Sequence, residues 1–368
     1  MTARSYDVVV VGGGLVGAAI AYGLVAGSKR VAMLDEGDRA LRAASGNFGL
    51  IWVQGKGIDF PAYAAWTRGS ARHWPELAMR LRAETGIDVA LEQRGGLHLC
   101  LSERELNARS ALVARCDAES NRVEMMDRAA LATLLPGIGP DVAGASYCAA
   151  DGHVNPLKLL CALHAAFTAC GGSILRDRSV RRVTRERGSF TLTTAAGAID
   201  AGRVVLAAGL GNAALAPQLG LSAPVRSQRG QIIALERLPA LLPLPVETLR
   251  QTDAGTVLAG DSQEDCASTD TSTGVLAAIA ARAVRAFPRL AAARVVRCWA
   301  ALRVLTPDRY PIYQQSETAP GAFLATCHSG LTLAAAHALD LAPQIAAGTL
   351  ATALLPFSAH RFDVAAPS

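Results

Sequence analysis

The chain has 368 residues, 51% of them hydrophobic and 18% charged, a composition that excludes a disordered polymer and supports a large buried core. That length exceeds what one compact core needs, so two interleaved domains are expected. The formal charge of +5 is spread along the chain rather than gathered in a block, which favours anionic small ligands and argues against a nucleic-acid partner.

Lysine is confined to Lys29, Lys56 and Lys158, and arginine supplies nearly all the positive charge. Genome composition accounts for most of that skew, yet it makes each lysine worth inspecting. Eight cysteines show no CxxC or paired spacing, and no signal peptide opens the chain, so free thiols in a reducing, cytoplasmic setting are expected. Seven histidines without HxxxH or Cys/His spacing give no reason to expect a protein-bound metal. The apolar run from Val8 to Ala26 approaches the length of a membrane span. Asp7 precedes it and Gly12, Gly13, Gly14 and Gly17 interrupt it, so a strand, a glycine turn and a buried helix are expected there, with no membrane span.

Asp7 to Val11 (DVVVV) has the β-branched run of a buried parallel strand. GGGLVG follows and puts Gly12, Gly14 and Gly17 in GxGxxG register; AAIAYGLVAG then reads as a helix ending near Gly27, and Val31 to Asp35 as the next strand. In this βαβ setting Gly12 permits the tight turn, Gly14 lets a pyrophosphate approach the backbone, and Gly17 lets the helix pack on the strand. The helix N-terminus offers unpaired N–H groups to the phosphates. Asp35 stands at the end of the second strand, where a carboxylate accepts ribose hydroxyls; it argues against a 2′-phosphate and leaves NAD and FAD both open.

Ala43 to Trp52 (AASGNFGLIW) is small, glycine-rich and aperiodic. Asn155-Pro156 suits an N-cap and N1 pair, so a loop and then a helix are expected between Asp151 and Gly172. Strands are expected around Val180–Thr184, Phe190–Thr194 and Arg203–Ala207, the last running into Gly209. Near the end stand CWAALRVLTPDRYPIY (Cys298 to Tyr313) and CHSGLTLAAAHALDLAPQIAAG (Cys327 to Gly348).

With these segments in order over nearly its whole length, the chain resembles the D-amino-acid-oxidase-like (DAO) family of flavoproteins, which includes glycine oxidase and sarcosine oxidase. GNFGLIWVQGKG and CHSGLTLAAAH are most similar to the flavin subunits of opine oxidases and hydroxyproline dehydrogenases, and iminodiacetate oxidases are similar too. The resemblance implies FAD, with its isoalloxazine at the boundary between two domains. It puts Leu15 and Val16 of the loop Gly12 to Gly17 at the pyrophosphate, and Asp35 and Glu36 at the adenosine ribose. Ala44, Ser45, Phe48, Gly49 and Leu50 would wrap the ribityl chain and flavin, Val180 would meet adenine through its backbone, and Gly209 would end a strand under the cofactor. Ser329, Gly330, Leu331 and Thr332 match the turn under the flavin pyrimidine.

That turn is expected to open a helix near Leu331, with its positive end toward the charge that reduced flavin carries, and Pro343 is expected to kink or restart it. Ala301 falls where some relatives tether FAD to a cysteine, so non-covalent FAD is expected.

Arg303, in WAALR, resembles the WAGLR arginine that holds the substrate carboxylate; a guanidinium fork does this bidentately, and the alternative is one more surface arginine. The second substrate arginine of glycine oxidase is missing, because Ser329-Gly330 follows His328 directly. Lys56 either binds a second carboxylate, stabilises charge during oxygen reduction, or is a solvated loop lysine. His328 either touches substrate or flavin, or is satisfied by the core; Cys327 is expected to be a packed thiol.

The resemblance implies hydride transfer from the amine-bearing carbon to flavin N5, followed by imine hydrolysis, on a small carboxylate-bearing amine such as iminodiacetate, an opine, sarcosine or D-(hydroxy)proline. Oxygen or an electron carrier would reoxidise the flavin. The alternatives are a flavin-carrying subunit that needs partner subunits and a nicotinamide-dependent dehydrogenase. The expected fold class is α/β. A discontinuous Rossmann-like FAD domain (1–50, 145–222 and 300–368) is joined by an α+β substrate domain on a mostly antiparallel sheet (51–144 and 223–299). Sheet is expected in Gly86–Leu101 and Pro224–Gly260, helix in Ser102–Asn121 and Gly274–Phe287, and homo- or hetero-oligomers are open.

Overall fold

A computed structural model of the chain describes residues 5–37, 42–116 and 123–363. The opening βαβ unit forms as its sequence dictates: β1 (Ser5–Val11), α1 (Leu15–Ala26) and β2 (Val31–Leu34). Val8, Val9 and Val10 have no solvent exposure, because β1 lies inside a sheet covered on both faces. It pairs in parallel with β2 on one side and with the Gly197–Leu206 strand on the other. That sheet continues in parallel through Ser173–Leu175 and Ala322–Thr326 to an antiparallel edge at Ile312–Gln315. An antiparallel hairpin, Val180–Glu186 with Ser189–Thr194, extends from the Gly197–Leu206 strand.

The second layer is antiparallel. Arg226–Arg237 pairs with Val295–Leu305 and with Thr256–Ala259, which pairs with Leu249–Gln251. Gly96–Cys100, Gly144–Cys148 and Val123–Asp127 form a second ladder, linked to the first through the Leu97–Val246 bridge. The fold is thus mixed α/β, with a Rossmann-like unit and an antiparallel second sheet. The expected segment boundaries at 145 and 300 fall inside Gly144–Cys148 and Val295–Leu305, two strands of the antiparallel layer.

Capping chemistry fixes several helices. Asn155 Oδ1 accepts from the N–H groups of Leu157 and Lys158, both at 3.2 Å, and Pro156 opens the Pro156–Ala169 helix. Ser102 caps Glu103–Ala114; the expected continuation to Asn121 stops short at Ala114, and residues 117–122 lie outside the described residues. The Gly274–Phe287 expectation is met by Thr273–Ala286.

A long helix, Pro61–Thr85, was not anticipated from sequence; it buries Tyr63, Thr67, Ser70, Ala71, Trp74, Leu77 and Leu81 along one stripe. Ser70 Oγ and Trp74 Nε1 both donate to the Thr332 carbonyl, at 2.7 and 3.0 Å. The C-terminal helix also differs from expectation. It begins at Ala334, not near Leu331, because Ser329–Leu333 closes a turn through Leu333 N–H to the Ser329 carbonyl at 3.0 Å. A π turn over His337–Leu341 immediately precedes Ala342–Ala347. Pro343 explains it, having no N–H to return to residue 339. Among the described residues no single helix is long and apolar enough to cross a membrane.

Candidate active site

The glycine turn after β1 is a cradle made by what glycine lacks. Gly12 has φ +108°, and a Cβ there would meet the Ala207 carbonyl; a Cβ on Gly17 would lie 1.9 Å from the Gly12 carbonyl oxygen. Only hydrogen fits either place, so α1 sits tightly on β1 and its N-terminus stays open. Gly14 caps α1 without a side-chain bond, and a Cβ on it would meet only Ala44. Leu15 and Val16 open α1, and Val16 packs against Gly330. The glycine turn and the turn at Ser329–Thr332 are therefore neighbours.

Asp35 Oδ2 accepts from Gly13 N–H at 2.8 Å and Oδ1 accepts from Gly37 N–H at 2.9 Å. Its neighbour Glu36 pairs with Arg42 at 2.6 Å on the surface. The Asp35 backbone bonds to Leu175 and Arg178, which brings the chain entering at Val180 beside the acidic strand end. Gly209 does not end its strand: Leu206 does, and Gly209 opens a short 3-10 turn at φ +59°. Ala207 N–H bonds to the Val11 carbonyl, so that turn still lies against the glycine cradle.

Ala44 and Ser45 lie in a turn leading to Phe48, Gly49 and Leu50. The Phe48 carbonyl accepts from Arg250 Nε, and Asn47 Oδ1 accepts from Gly49 N–H at 2.8 Å. Arg250 is 2% exposed, and burial pulls its pKa down to about 10. Leu50 and Trp52 are tied to Thr332, whose hydroxyl lies 3.3 Å from the Leu50 carbonyl and accepts from Trp52 N–H at 3.2 Å. The segments at 44–52 and 329–332 thus form one hydrogen-bonded wall.

A cleft of about 550 Å³ opens on this wall. It brings together Phe48, Leu50, Lys56, Arg303, His328, Ser329, Leu331 and Thr332. The glycine loop, Asp35, Val180 and Gly209 lie outside it.

Arg303 is mostly buried, with 19% of its side chain exposed, and reaches the cleft from the Val295–Leu305 strand. Its Nη1 donates to the carbonyls of Arg229 and Ser262 at 3.1 and 2.8 Å, and its Nη2 to Asp261. Burial, with Arg309 nearby, lowers its pKa to about 10, so it stays charged at neutral pH.

Lys56 is no free loop lysine: Nζ donates to Ser329 Oγ at 3.1 Å, and the Tyr63 hydroxyl donates to the same oxygen at 3.0 Å. His328 lines the cleft and is exposed to it, in a crowded surround. Crowding by the surrounding protein, with the charges of Lys56, Arg303 and Arg309, lowers its pKa below the ordinary imidazole value, so the imidazole is neutral at pH 7. Cys327 is buried and burial raises its thiol to about 12, which makes it a packed thiol and not a nucleophile. Ala301 lines the cleft and offers no thiol at that position.

Several wall residues were not foreseen. Tyr63 and Tyr310 meet as a tilted pair, 5.3 Å between centroids, and Glu247 faces the cleft with His98 behind it. Burial alone would raise the Glu247 pKa, but the bond and charge of His98, with Arg109 and Lys56, hold it below the ordinary value. Beneath the Lys56 loop, Asp151 is fully buried and accepts from Val53 N–H at 2.5 Å and Gln54 Nε2 at 2.7 Å. Arg109 donates to the Gln54 side-chain oxygen at 2.6 Å, closing a buried chain of polar groups.

Residues 7–344 match the family described as DAO, FAD dependent oxidoreductase. The chain belongs to the DAO family. Among its DAO relatives, an opine oxidase subunit of Agrobacterium tumefaciens (strain Ach5) is 46% identical over 361 residues, covering 97% of each chain. The corresponding opine oxidase subunit of Rhizobium meliloti is 44% identical over 362 residues, with 97% of this chain and 98% of that one covered. The crystal structure of glycine oxidase from Geobacillus kaustophilus superposes with a TM-score of 0.87 at 26% identity, covering 96% of this chain and 98% of that one. As a DAO protein the chain is an FAD-dependent oxidoreductase, and the nicotinamide alternative falls away. The open α1 N-terminus, the cradle that no Cβ could enter and the carboxylate at the end of β2 fit the dinucleotide half of FAD.

Proposed function

We propose that this enzyme oxidises the C–N bond of an amino acid or N-substituted amino acid, and that an N-carboxyalkyl amino acid of the opine or iminodiacetate type fits it best. The observation that carries the reading is the pairing of two cations, Arg303 and Lys56, on the walls of one cleft beside the flavin-side segments. The 46% identity to an opine oxidase subunit, over almost the full length, supports it.

The chemistry FAD supplies when bound is acceptance of a hydride from the carbon bearing nitrogen; the resulting imine is split by water into a carbonyl acid and an amine. The protein's part is orientation and electrostatics. Arg303 seats one carboxylate, and its two backbone carbonyl bonds keep the guanidinium from turning away. Lys56, steered by Ser329 and Tyr63, seats the second. Neutral His328 offers a hydrogen bond without adding charge. Asp35, the glycine loop, Ala44–Leu50, Val180, Gly209 and Ser329–Thr332 hold FAD without a covalent link. The segments around the parallel sheet form the FAD domain, and those around the antiparallel sheets the substrate domain.

Anaerobic mixing of the purified enzyme with glycine, sarcosine, iminodiacetate, D-proline, hydroxyproline and opines tests this directly. Rapid loss of the oxidised flavin band with a dicarboxylate amine, and slow loss with glycine, is the expected pattern. Equal bleaching by glycine would overturn the dicarboxylate preference.

A second reading concerns assembly: both opine oxidase relatives are named as subunits, which favours a flavin-carrying chain that works with partner chains. Gel filtration, with activity measured before and after adding partner chains from the same source, distinguishes the two.

A further inference from the structure

The segment from Gly260 to Asp265 runs on from the Thr256–Ala259 strand, antiparallel beside Arg226–Arg237, and its three carboxylates meet three arginines of that sheet. Asp261 pairs with Arg303, Glu264 with Arg229 at 2.5 Å, and Asp265 with Arg226. The middle rung is also pinned by backbone bonds between Arg229 and Glu264 in both directions, at 2.8 and 3.0 Å. Glu264 gathers Arg229, Gln231 and Ser262 around it, and the Arg229 bond leads in holding its pKa down to about 2. Asp261 differs on both counts. It lines the cleft, and among the described residues Arg303 is the one side-chain partner of its carboxylate.

The donors of Arg303 show what this means for a ligand. Nη1 is committed to two backbone carbonyls. A bidentate carboxylate needs two parallel N–H groups, and the remaining edge is formed by Nε and Nη2. Asp261 already holds Nη2. Gly230 lies under the guanidinium, where a Cβ would come within 2.3 Å of Nη2, so the group rests on the sheet in a place that only glycine leaves open.

We propose that Asp261 is a specificity-determining residue: a resident carboxylate on Arg303 that an incoming substrate carboxylate must displace or share the guanidinium with. This rests on the reading of Arg303 as the carboxylate seat. Its consequence is discrimination. A lone carboxylate exchanges one ion pair for another and gains little, whereas a ligand with a further anchor in the cleft, such as Lys56, adds an interaction that Asp261 does not contest.

The test uses the FAD-bound enzyme and benzoate, an unreactive monocarboxylate, with binding followed by perturbation of the flavin spectrum. Asp261→Asn is expected to tighten benzoate about tenfold, equivalent to about 1.4 kcal/mol, and to leave uncharged benzamide unchanged. Asp261→Ser should do the same, which keeps the test open if one variant fails to fold. Benzoate affinity equal to or weaker than wild type in the folded variants overturns the proposal, as does an equal gain for benzamide, which would signal mere enlargement. Arg303→Ala separates the two layers. If it leaves benzoate binding intact, the seat is elsewhere and the reading beneath the proposal fails; if it weakens benzoate while the Asp261 variants do not strengthen it, the proposal alone fails.

Discussion

Asp35 Oδ2 accepts the Gly13 N–H at 2.8 Å, joining the end of β2 to the middle of the glycine turn. One carboxylate therefore fixes the shape of the turn and faces the place where a ribose is expected. Asp35→Ala removes both, leaving Gly13 N–H without its partner at a cost of about 1–3 kcal/mol. The purified variant is expected to carry less FAD than wild type at equal protein, measured by the ratio of flavin to protein absorbance. Undiminished FAD content would remove Asp35 from the cofactor site.

Gly17→Ala is the sharper cradle test, because its Cβ would lie 1.9 Å from the Gly12 carbonyl oxygen. Either α1 lifts from β1 or the turn opens, and both spoil the phosphate site. The expected result is apoprotein with a lowered melting temperature, and added FAD should restore little of it. A variant with normal flavin and normal melting would contradict the packing described.

The first unit was legible because three local signals coincide there: β-branched strand, glycine spacing and an acidic strand end. The Asn155-Pro156 cap and the strands around Val180, Phe190 and Arg203 were legible for the same reason. The Pro61–Thr85 helix had a readable stripe, Tyr63, Ser70, Trp74, Leu77 and Leu81, but Gly69 and Pro75 interrupt it with the residues that ordinarily break helices. The start of the last helix was misplaced because an apolar run holds no cap to mark where a turn ends and a helix begins. Arg303, Lys56 and His328 were found from motif and all line the cleft. Asp261, Glu247 and Asp151 were not, because their neighbours come from distant strands and sequence spacing carries no trace of that.

Arg303→Ala is expected to raise KM for a carboxylate substrate by a factor corresponding to about 2–5 kcal/mol, with FAD content little changed. Steady-state kinetics beside a flavin titration checks this. Unchanged kinetics would take Arg303 out of the site.

Lys56→Met keeps most of the side chain's length and deletes the charge. It should raise KM for a dicarboxylate amine about tenfold or more, while a monocarboxylate such as sarcosine changes less. Equal effects on both would assign Lys56 to the flavin or to oxygen rather than to a second carboxylate.

Burial raises the Asp151 pKa to about 7 despite bonds from Val53 and Gln54. The folded protein then keeps a proton that the unfolded chain has lost, so the contribution of Asp151 is full below the ordinary carboxylate range and fades as pH rises through about 7. Urea midpoints measured between about pH 5 and pH 8 should show wild type losing stability relative to Asp151→Asn as pH rises. A wild-type advantage that grows with pH would contradict the assignment.

The central claim is that the cleft beside FAD oxidises an amine bearing carboxylates. Its most direct measurement is anaerobic single-turnover reduction of the enzyme-bound flavin by an opine or iminodiacetate, in wild type and in Arg303→Ala. Saturable bleaching is expected in wild type, and a large loss of apparent affinity in the variant. Flavin that stays oxidised with every amine tested, in protein with full FAD content and any required partner chains present, would contradict it.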